Sequence, residues 1–123
     1  MNYIKEEQIY NFIKKILLKI QCDSFTAKSI ASSLTSSSLR GIDSHGIRLF
    51  EHYLNSFLKG RKNKKPSFKF NRTFPAFIAM DADHASGITA GFKAINYSAK
   101  YAIKYGICGV SVFNSSHPGA LSS

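Results

Sequence analysis

The spacing of apolar residues changes once along this chain, and that change restricts the fold more than any other feature. Before residue 60 apolar side chains recur every three or four residues, the spacing of amphipathic helices. After residue 66 they alternate or form short runs, which is typical of strands. The sequence therefore predicts a mixed α/β (α+β) fold. We expect a helical segment at 1–60, a basic linker at 61–66 and the start of a strand–helix–strand domain at 67–123.

Three helices are predicted before the linker, at about 3–20, 26–39 and 44–60. Asp23 or Ser24 could cap the second helix, since both side chains accept backbone hydrogen bonds. A glycine ends the third helix. The residues predicted to be buried form one stripe on each helix: Ile9, Phe12, Ile13, Ile16, Leu17 and Ile20; Ala27, Ile30, Ala31 and Leu34; and Ile47, Phe50, Leu54, Phe57 and Leu58.

The second half is predicted to contain three strands and one helix. "SFKFN" and "AFIAMD" are predicted strands, 87–105 is a helix, and "GICGVSVFN" is a buried strand that leads into the loop "SSHPG". The helix is expected to pack through Ala90, Ala94, Tyr97, Ala102 and Ile103. A buried final strand requires further strands and a covering layer, so we expect this chain to be a fragment of a longer fold.

Composition excludes several classes of protein. The two cysteines, Cys22 and Cys108, form neither a metal-binding pattern nor a disulfide framework, so we expect no metal and a reduced, cytoplasmic location. No apolar run has the length of a membrane span. The net charge of +10 and the stretch "KGRKNKK" leave a small basic nucleic-acid-binding module as an alternative, although that stretch lacks interleaved aromatic residues.

One candidate site lies in "SLRGIDSHGIRLFEHYL". On a helix, His45, Arg48 and His52 would share the face opposite the apolar stripe. This could be a solvated polar surface. It could also be an anion site, because a guanidinium binds a carboxylate through two hydrogen bonds and an imidazole can add another. The spacing alone leaves both interpretations open.

A second candidate lies in "VFNSSHPGA". His117 follows a predicted strand, and loops at strand ends commonly carry functional residues. The small residues around it would let a substrate approach the ring. An ordinary turn is the alternative, because Asn, Ser, Pro and Gly all favour turns.

Together the two stretches resemble a known family. "RGIDSHGIRLFEHYLNSFLKG" and "GVSVFNSSHPGA" are similar to N-terminal signatures of the malate/L-lactate dehydrogenase family of the second type. That family includes ureidoglycolate, sulfolactate and hydroxycarboxylate dehydrogenases and a cyclic-imine reductase. The intervening "MDADHASGITAG" resembles the family's Asp-to-Gly stretch before an alanine-rich helix, so the resemblance covers nearly the whole chain.

The resemblance implies an oxidoreductase that uses NAD or NADP and interconverts 2-hydroxy and 2-oxo acids. The family's fold is not the common dinucleotide-binding fold, and accordingly the chain lacks the G-x-G-x-x-G motif of that fold. The resemblance assigns general acid/base catalysis to His117 and substrate binding to Ser44, His45 and Arg48, with Arg48 on the carboxylate. It also implies a homodimer for the full-length protein.

Two departures from the family accompany this resemblance. Pro118 follows the histidine where relatives often have phenylalanine or a small residue, and proline biases the preceding residue toward extended backbone. Family members are also much longer, and most of their cofactor-binding sequence lies beyond the matching part. We therefore expect this chain alone to be inactive. A non-catalytic remnant that associates with a homologue is the other interpretation.

Overall fold

The computed structural model describes residues 3–120 of the chain and confirms the α/β class. Its elements, in chain order, are α1 (Glu6–Lys19), α2 (Ser24–Leu39), two short 3-10 turns (Asp43–His45 and Ile47–Leu49), α3 (Phe50–Leu58), β1 (Lys69–Phe74), β2 (Phe77–Asp81), α4 (Gly87–Tyr105) and β3 (Gly109–Phe113). No helix in this described part is long and apolar enough to cross a membrane.

Helices α1, α2 and α3 enclose one apolar core. The predicted stripe of α2 is fully buried, and Ile13 and Leu17 of α1 pack against it. Phe12 was expected in the core but is 56% exposed. Each fully buried Ile or Leu contributes about 1.5–3 kcal/mol relative to an exposed one, so this cluster dominates the stability of the helical segment.

Asp23, one of the two predicted caps, is the N-cap residue of α2. Its carboxylate accepts a hydrogen bond from the Thr26 backbone N–H at 2.7 Å. The Asp23 backbone N–H donates to the carbonyl oxygen of Lys64 at 2.9 Å. One residue therefore caps a helix and ties the basic segment to the helical core.

The predicted third helix begins later than expected. Two 3-10 turns occupy 43–49, and the α-helix starts only at Phe50. Gly46 separates the turns with extended backbone (φ −91°, ψ −151°), and the hydroxyl of Ser38 accepts the Ile47 N–H at 2.8 Å. A Cβ at position 46 would overlap that hydroxyl, so glycine permits the close approach. The shared helical face proposed for His45, Arg48 and His52 is therefore wrong.

The sheet has the order β1-β2-β3, with β1 antiparallel and β3 parallel to β2. Helix α4 covers one face through its first turns, where Ala90 and Ala94 pack against Met80. The first strand lies two residues later than predicted. Strand β3 was expected to be buried, but Phe113 is 50% exposed, because β2 is its one neighbour among the described strands.

The predicted packing face of α4 is wrong at Ile103. Ala90 and Ala94 are buried and Tyr97 and Ala102 are half-buried. The Tyr97 ring stacks on Phe70 of β1 with centroids 3.7 Å apart, so the sheet-facing side of α4 extends well beyond its first turns. Ile103 lies on the opposite side of the helix from Ala94 and is 86% exposed.

Two aspartates fasten the end of the sheet. The Asp83 carboxylate accepts from the Asn63 side chain and from the Ser67 N–H, each at 2.9 Å. The Asp81 carboxylate accepts from the Asp83 N–H at 3.0 Å and from the Asn114 side chain at 3.1 Å, and these bonds hold its pKa below the ordinary value. The basic segment, the β2–α4 turn and the end of β3 are thereby joined.

Candidate functional site

The loop that carries His117 lies directly on the first turn of α4. The Gly87 N–H donates to the hydroxyl of Ser116 at 3.2 Å. A Cβ on Gly87 would lie 2.5 Å from the carbonyl carbon and oxygen of His117, closer than real contacts allow. Gly119, at φ +78°, packs in the same way against Ile88. The two glycines therefore let the loop approach the helix.

Two groups contact the Nδ1 atom of the His117 imidazole. The Gly119 N–H donates to Nδ1 at 3.2 Å, and the Tyr53 hydroxyl lies 3.4 Å from the same nitrogen. The Tyr53 hydroxyl also lies 3.5 Å from the His117 carbonyl oxygen. Because a backbone N–H can only donate, Nδ1 is an acceptor and the neutral ring carries its proton on Nε2. In this arrangement Nε2–H can donate a hydrogen bond to a ligand.

His45 completes a histidine pair. Its ring stacks on that of His117 with centroids 5.5 Å apart and an interplanar angle of 25°. The Ser44 hydroxyl lies 2.8 Å from His45 Nδ1. Three of the four residues predicted at the site therefore form one connected group, although they come from opposite halves of the chain.

Arg48 lies nearby along the chain, with an exposed side chain in the second 3-10 turn. No described contact joins its guanidinium to His117. His52 is also exposed and packs edge-on against Tyr53, with ring centroids 6.0 Å apart. The structure therefore brings together Ser44, His45 and His117, and leaves Arg48 and His52 around them at the surface.

Two residues at this site, Tyr53 and Lys62, were not predicted from the sequence. Tyr53 is fully buried beneath the His117 loop, and burial raises its pKa to about 12. The Nζ atom of Lys62 lies 4.1 Å from the centre of the Tyr53 ring. Tyr53 follows Phe50 by three residues and precedes Phe57 by four, so helical spacing could have placed it in the core. Lys62 belongs to a basic run and gives no such signal.

The described residues contain no group of three or more metal-ligating side chains. The site contains the Nε2–H group of His117, the stacked imidazole of His45, the hydroxyl of Ser44 and, nearby, the guanidinium of Arg48. This set suits proton transfer to an anionic, oxygen-bearing small molecule.

The fold matches about a third of the chain in solved dehydrogenase structures. It superposes with a TM-score of 0.90 on sulfolactate dehydrogenase from Methanocaldococcus jannaschii, to which it is 30% identical over 96% of this chain and 34% of that one. A malate dehydrogenase from Entamoeba histolytica gives the same TM-score at 28% identity, covering 96% of this chain and 33% of that one.

The chain belongs to the malate/L-lactate dehydrogenase family, whose model matches residues 4–123. It is 33% identical over 120 residues to a malate dehydrogenase from Pyrococcus abyssi, covering 96% of this chain and 33% of the relative. A ureidoglycolate dehydrogenase (NAD(+)) from Escherichia coli is 29% identical over 119 residues, covering 97% and 34%. The chain thus spans about a third of the length of these relatives. The family predicted from the two motifs is confirmed.

Proposed function

We propose that this chain supplies the acid/base and carboxylate-binding part of an oxidoreductase that interconverts 2-hydroxy and 2-oxo acids with NAD or NADP. The observation that carries the proposal is the stacked pair of His45 and His117, with the Tyr53 hydroxyl at His117 Nδ1. The names of the relatives support it, since they are dehydrogenases of malate, sulfolactate and ureidoglycolate.

His117 is the proposed catalytic residue. When the oxo acid is reduced, the charged imidazolium of His117 gives its Nε2 proton to the oxygen on the carbon next to the carboxylate and becomes a neutral ring with its remaining proton on Nδ1. When the hydroxy acid is oxidised, the Nε2 lone pair of that Nδ1–H ring accepts the proton and the imidazolium forms again. Imidazole suits both directions because its charge changes near neutral pH, and positioned proton transfer typically accelerates a reaction by about 10²–10⁴-fold.

The Tyr53 hydroxyl accommodates both protonation states of His117. Against the neutral ring it can donate to Nδ1 at 3.4 Å. Against a ring protonated at Nδ1 it can accept from Nδ1–H while it donates to the His117 carbonyl oxygen at 3.5 Å, and the Gly119 N–H must then turn away from Nδ1. Both separations are long for hydrogen bonds, as catalytic contacts often are without ligand.

The substrate carboxylate is assigned to Arg48, with the Ser44 hydroxyl and His45 beside it. Arg48 follows His45 by three residues, and its side chain is exposed. Its guanidinium can therefore bind an anion without giving up a contact with a buried residue. A planar guanidinium forms two parallel hydrogen bonds with a carboxylate. This contact would orient the acid so that its second carbon faces His117.

A nicotinamide cofactor would supply the hydride in this reaction. The described residues do not fit such a dinucleotide by themselves: the cavity beside the His117 loop measures about 120 Å³ and is lined by apolar residues such as Ile88, Phe92 and Ile95. No glycine-rich phosphate loop occurs in the sequence. We therefore assign proton exchange and carboxylate binding to this chain, and propose a cytoplasmic homodimer for the whole protein.

The test is a hybrid enzyme in which residues 4–123 of this chain replace the matching part of the Pyrococcus abyssi malate dehydrogenase. NADH and NADPH oxidation would be followed with oxaloacetate and pyruvate. We expect activity that falls about 10²–10⁴-fold in His117→Ala. Arg48→Met should raise KM, while Arg72→Met, which removes an exposed arginine on β1, should match the unsubstituted hybrid.

The same variants in the isolated chain provide a binding test. Oxaloacetate should shift the NMR signals of the His45 and His117 rings, and Arg48→Met should weaken that binding. The proposal is wrong if a folded hybrid keeps full activity in His117→Ala, or if oxaloacetate leaves both rings unchanged.

A further inference from the structure

Lys62 is a buried lysine whose ammonium makes no described hydrogen bond. The residue is 7% exposed, and its Nζ atom has no hydrogen-bond partner within the described part of the chain. Its one described interaction is with the Tyr53 ring, at 4.1 Å from the centroid. A buried cation without a counterion is costly, so its position above that ring calls for an explanation.

We propose that Lys62 is a positioning residue for the acid/base histidine: its ammonium, stacked on the Tyr53 ring, holds the Tyr53 hydroxyl against His117 and loosens that contact when it loses its proton. This inference rests on the function proposed for His117. It adds to that function a charged residue, Lys62, which lies against the Tyr53 ring whose hydroxyl contacts His117.

The backbone around Lys62 is held on both sides. The Arg61 N–H donates to the Ser56 carbonyl oxygen at 2.9 Å, which ties the segment to α3. On the other side, the Asn63 N–H donates to the His84 carbonyl oxygen at 2.9 Å. Because both neighbours are fixed, the Lys62 side chain is directed into the space beneath Tyr53 and is not an arm of a free linker.

The contact acts on Tyr53 in two ways. A cation over an aromatic face is attracted by the ring, which restricts the ring's movement. The positive charge also draws electron density from the phenol, so the hydroxyl becomes a better donor to His117 Nδ1. Both effects disappear when the amine becomes neutral.

The surroundings of Lys62 lower its pKa, so that its ammonium can lose a proton within the pH range of a titration. Burial and the neighbouring Arg61 lower the pKa of Lys62 to about 8. Of the other titratable groups, His117 contacts the Tyr53 hydroxyl, His52 packs edge-on against the Tyr53 ring, and His45 stacks on His117. Lys64 and Lys65 follow Lys62 in its own segment. The pKa values of Tyr53 and of Cys22, which lies near Lys64, are raised by burial to about 12 and 11, so both stay neutral at pH 8.

The test is an NMR titration of the isolated 123-residue chain between pH 7.5 and 10, which requires no turnover. The 15N signals of the His117 ring and of Lys62 Nζ would be followed. We expect the Lys62 signal to titrate near pH 8 and the His117 ring to show an inflection at the same pH.

Substitutions separate charge from structure. In Lys62→Met the inflection should be lost and the His117 signals should stay at their high-pH positions. In Lys62→Arg, which keeps a charge throughout, they should stay at their low-pH positions. Lys65→Met, a change at an exposed lysine of the same segment, should behave as the unsubstituted chain.

A Lys62 signal that titrates near 10.5, or a His117 inflection that persists in Lys62→Met, would overturn the inference. Oxaloacetate added to the same samples tests the proposed function separately. If the inflection depends on Lys62 but the acid does not bind, the positioning role stands and the substrate assignment fails.

Discussion

The two halves of this molecule bury their apolar residues to different extents. In the helical half, residues such as Leu17, Ile30 and Phe57 are at most 1% exposed. In the strand-bearing half, Ile103 is 86% and Ile107 is 73% exposed. The first region encloses a core, although Phe12 and Leu58 stay outside it at 56% and 57% exposure, whereas the second leaves one side of α4 and the segment after it open to solvent.

The site lies where these two regions meet. His45 and Tyr53 belong to the helical half, and His117 reaches them from the end of β3 by resting on α4. Loops that carry functional groups are usually positioned by a rigid scaffold. Here the closed region provides that scaffold, and the open region delivers His117 to it.

The largest expected difference between the halves is in the cost of truncating a side chain. Leu17→Ala should lower the free energy of unfolding by about 2–5 kcal/mol, because it leaves a cavity in a closed core. Ile103→Ala should change it by less than about 0.5 kcal/mol, because that side chain is already in water. Urea unfolding of both variants measures the two values.

Equal losses in the two variants would contradict the division into a closed and an open region. Val110 offers an intermediate case, since it is partly buried against the cluster that contains Met80. Val110→Ala should therefore fall between the other two in the same unfolding experiment.

The sequence predicted the closed region better than the open one, for physical reasons. The stripe on α2 is set by local periodicity and by a core that its own neighbours complete. The burial of β3 was inferred from an apolar run, and such a run cannot show whether a covering layer is present. Ile103 was predicted to pack because it is an apolar residue of α4, although it is half a helical turn out of phase with Ala94. The late start of α3 depends on Gly46 lying against Ser38, a contact that helical spacing does not encode.

The site was also only partly predictable. Ser44, His45 and His117 were selected from their motifs, and the structure brings them together. The catalytic and substrate-binding roles of these residues and of Arg48 stay predictions. Tyr53 and Lys62 were missed because a burial pattern does not reveal which buried ring will contact a distant loop, and because lysine is rarely buried.

A smaller effect is expected where the open region touches the site. Gly87→Ala should lower the free energy of unfolding by about 1–3 kcal/mol, because the added methyl group overlaps the His117 backbone. It should also separate the His45 and His117 rings, which ring-to-ring NOEs measure. Gly91, one turn later on α4, has open space at the Cβ position and provides the matched control.

Gly91→Ala should instead raise the free energy of unfolding by about 0.5–1 kcal/mol, since alanine loses less backbone entropy in a helix. If both substitutions raised the free energy of unfolding, helix propensity would explain them and the close loop contact at Gly87 would not be needed.

A further expected effect, which depends on pH, concerns the buried charge on the closed side. The pKa of Lys62 is lowered from 10.5 to about 8, so between those pH values the unfolded chain binds a proton that the folded chain does not. The free energy of unfolding therefore gains a contribution that rises with pH across this window and levels off above it. Lys62→Met should remove that contribution.

At pH 7, where the folded chain still carries the buried cation, Lys62→Met should be more stable by about 1–2 kcal/mol, after allowance for solvent screening. The gain should shrink toward zero by about pH 10.5, the ordinary value for this lysine. Urea unfolding of both chains at several pH values measures it, and the raised pKa values of Cys22 and Tyr53 cancel in the difference. A gain that does not depend on pH would mean that the methionine stabilises by packing, and that the ammonium is not held in a low-dielectric site beneath Tyr53.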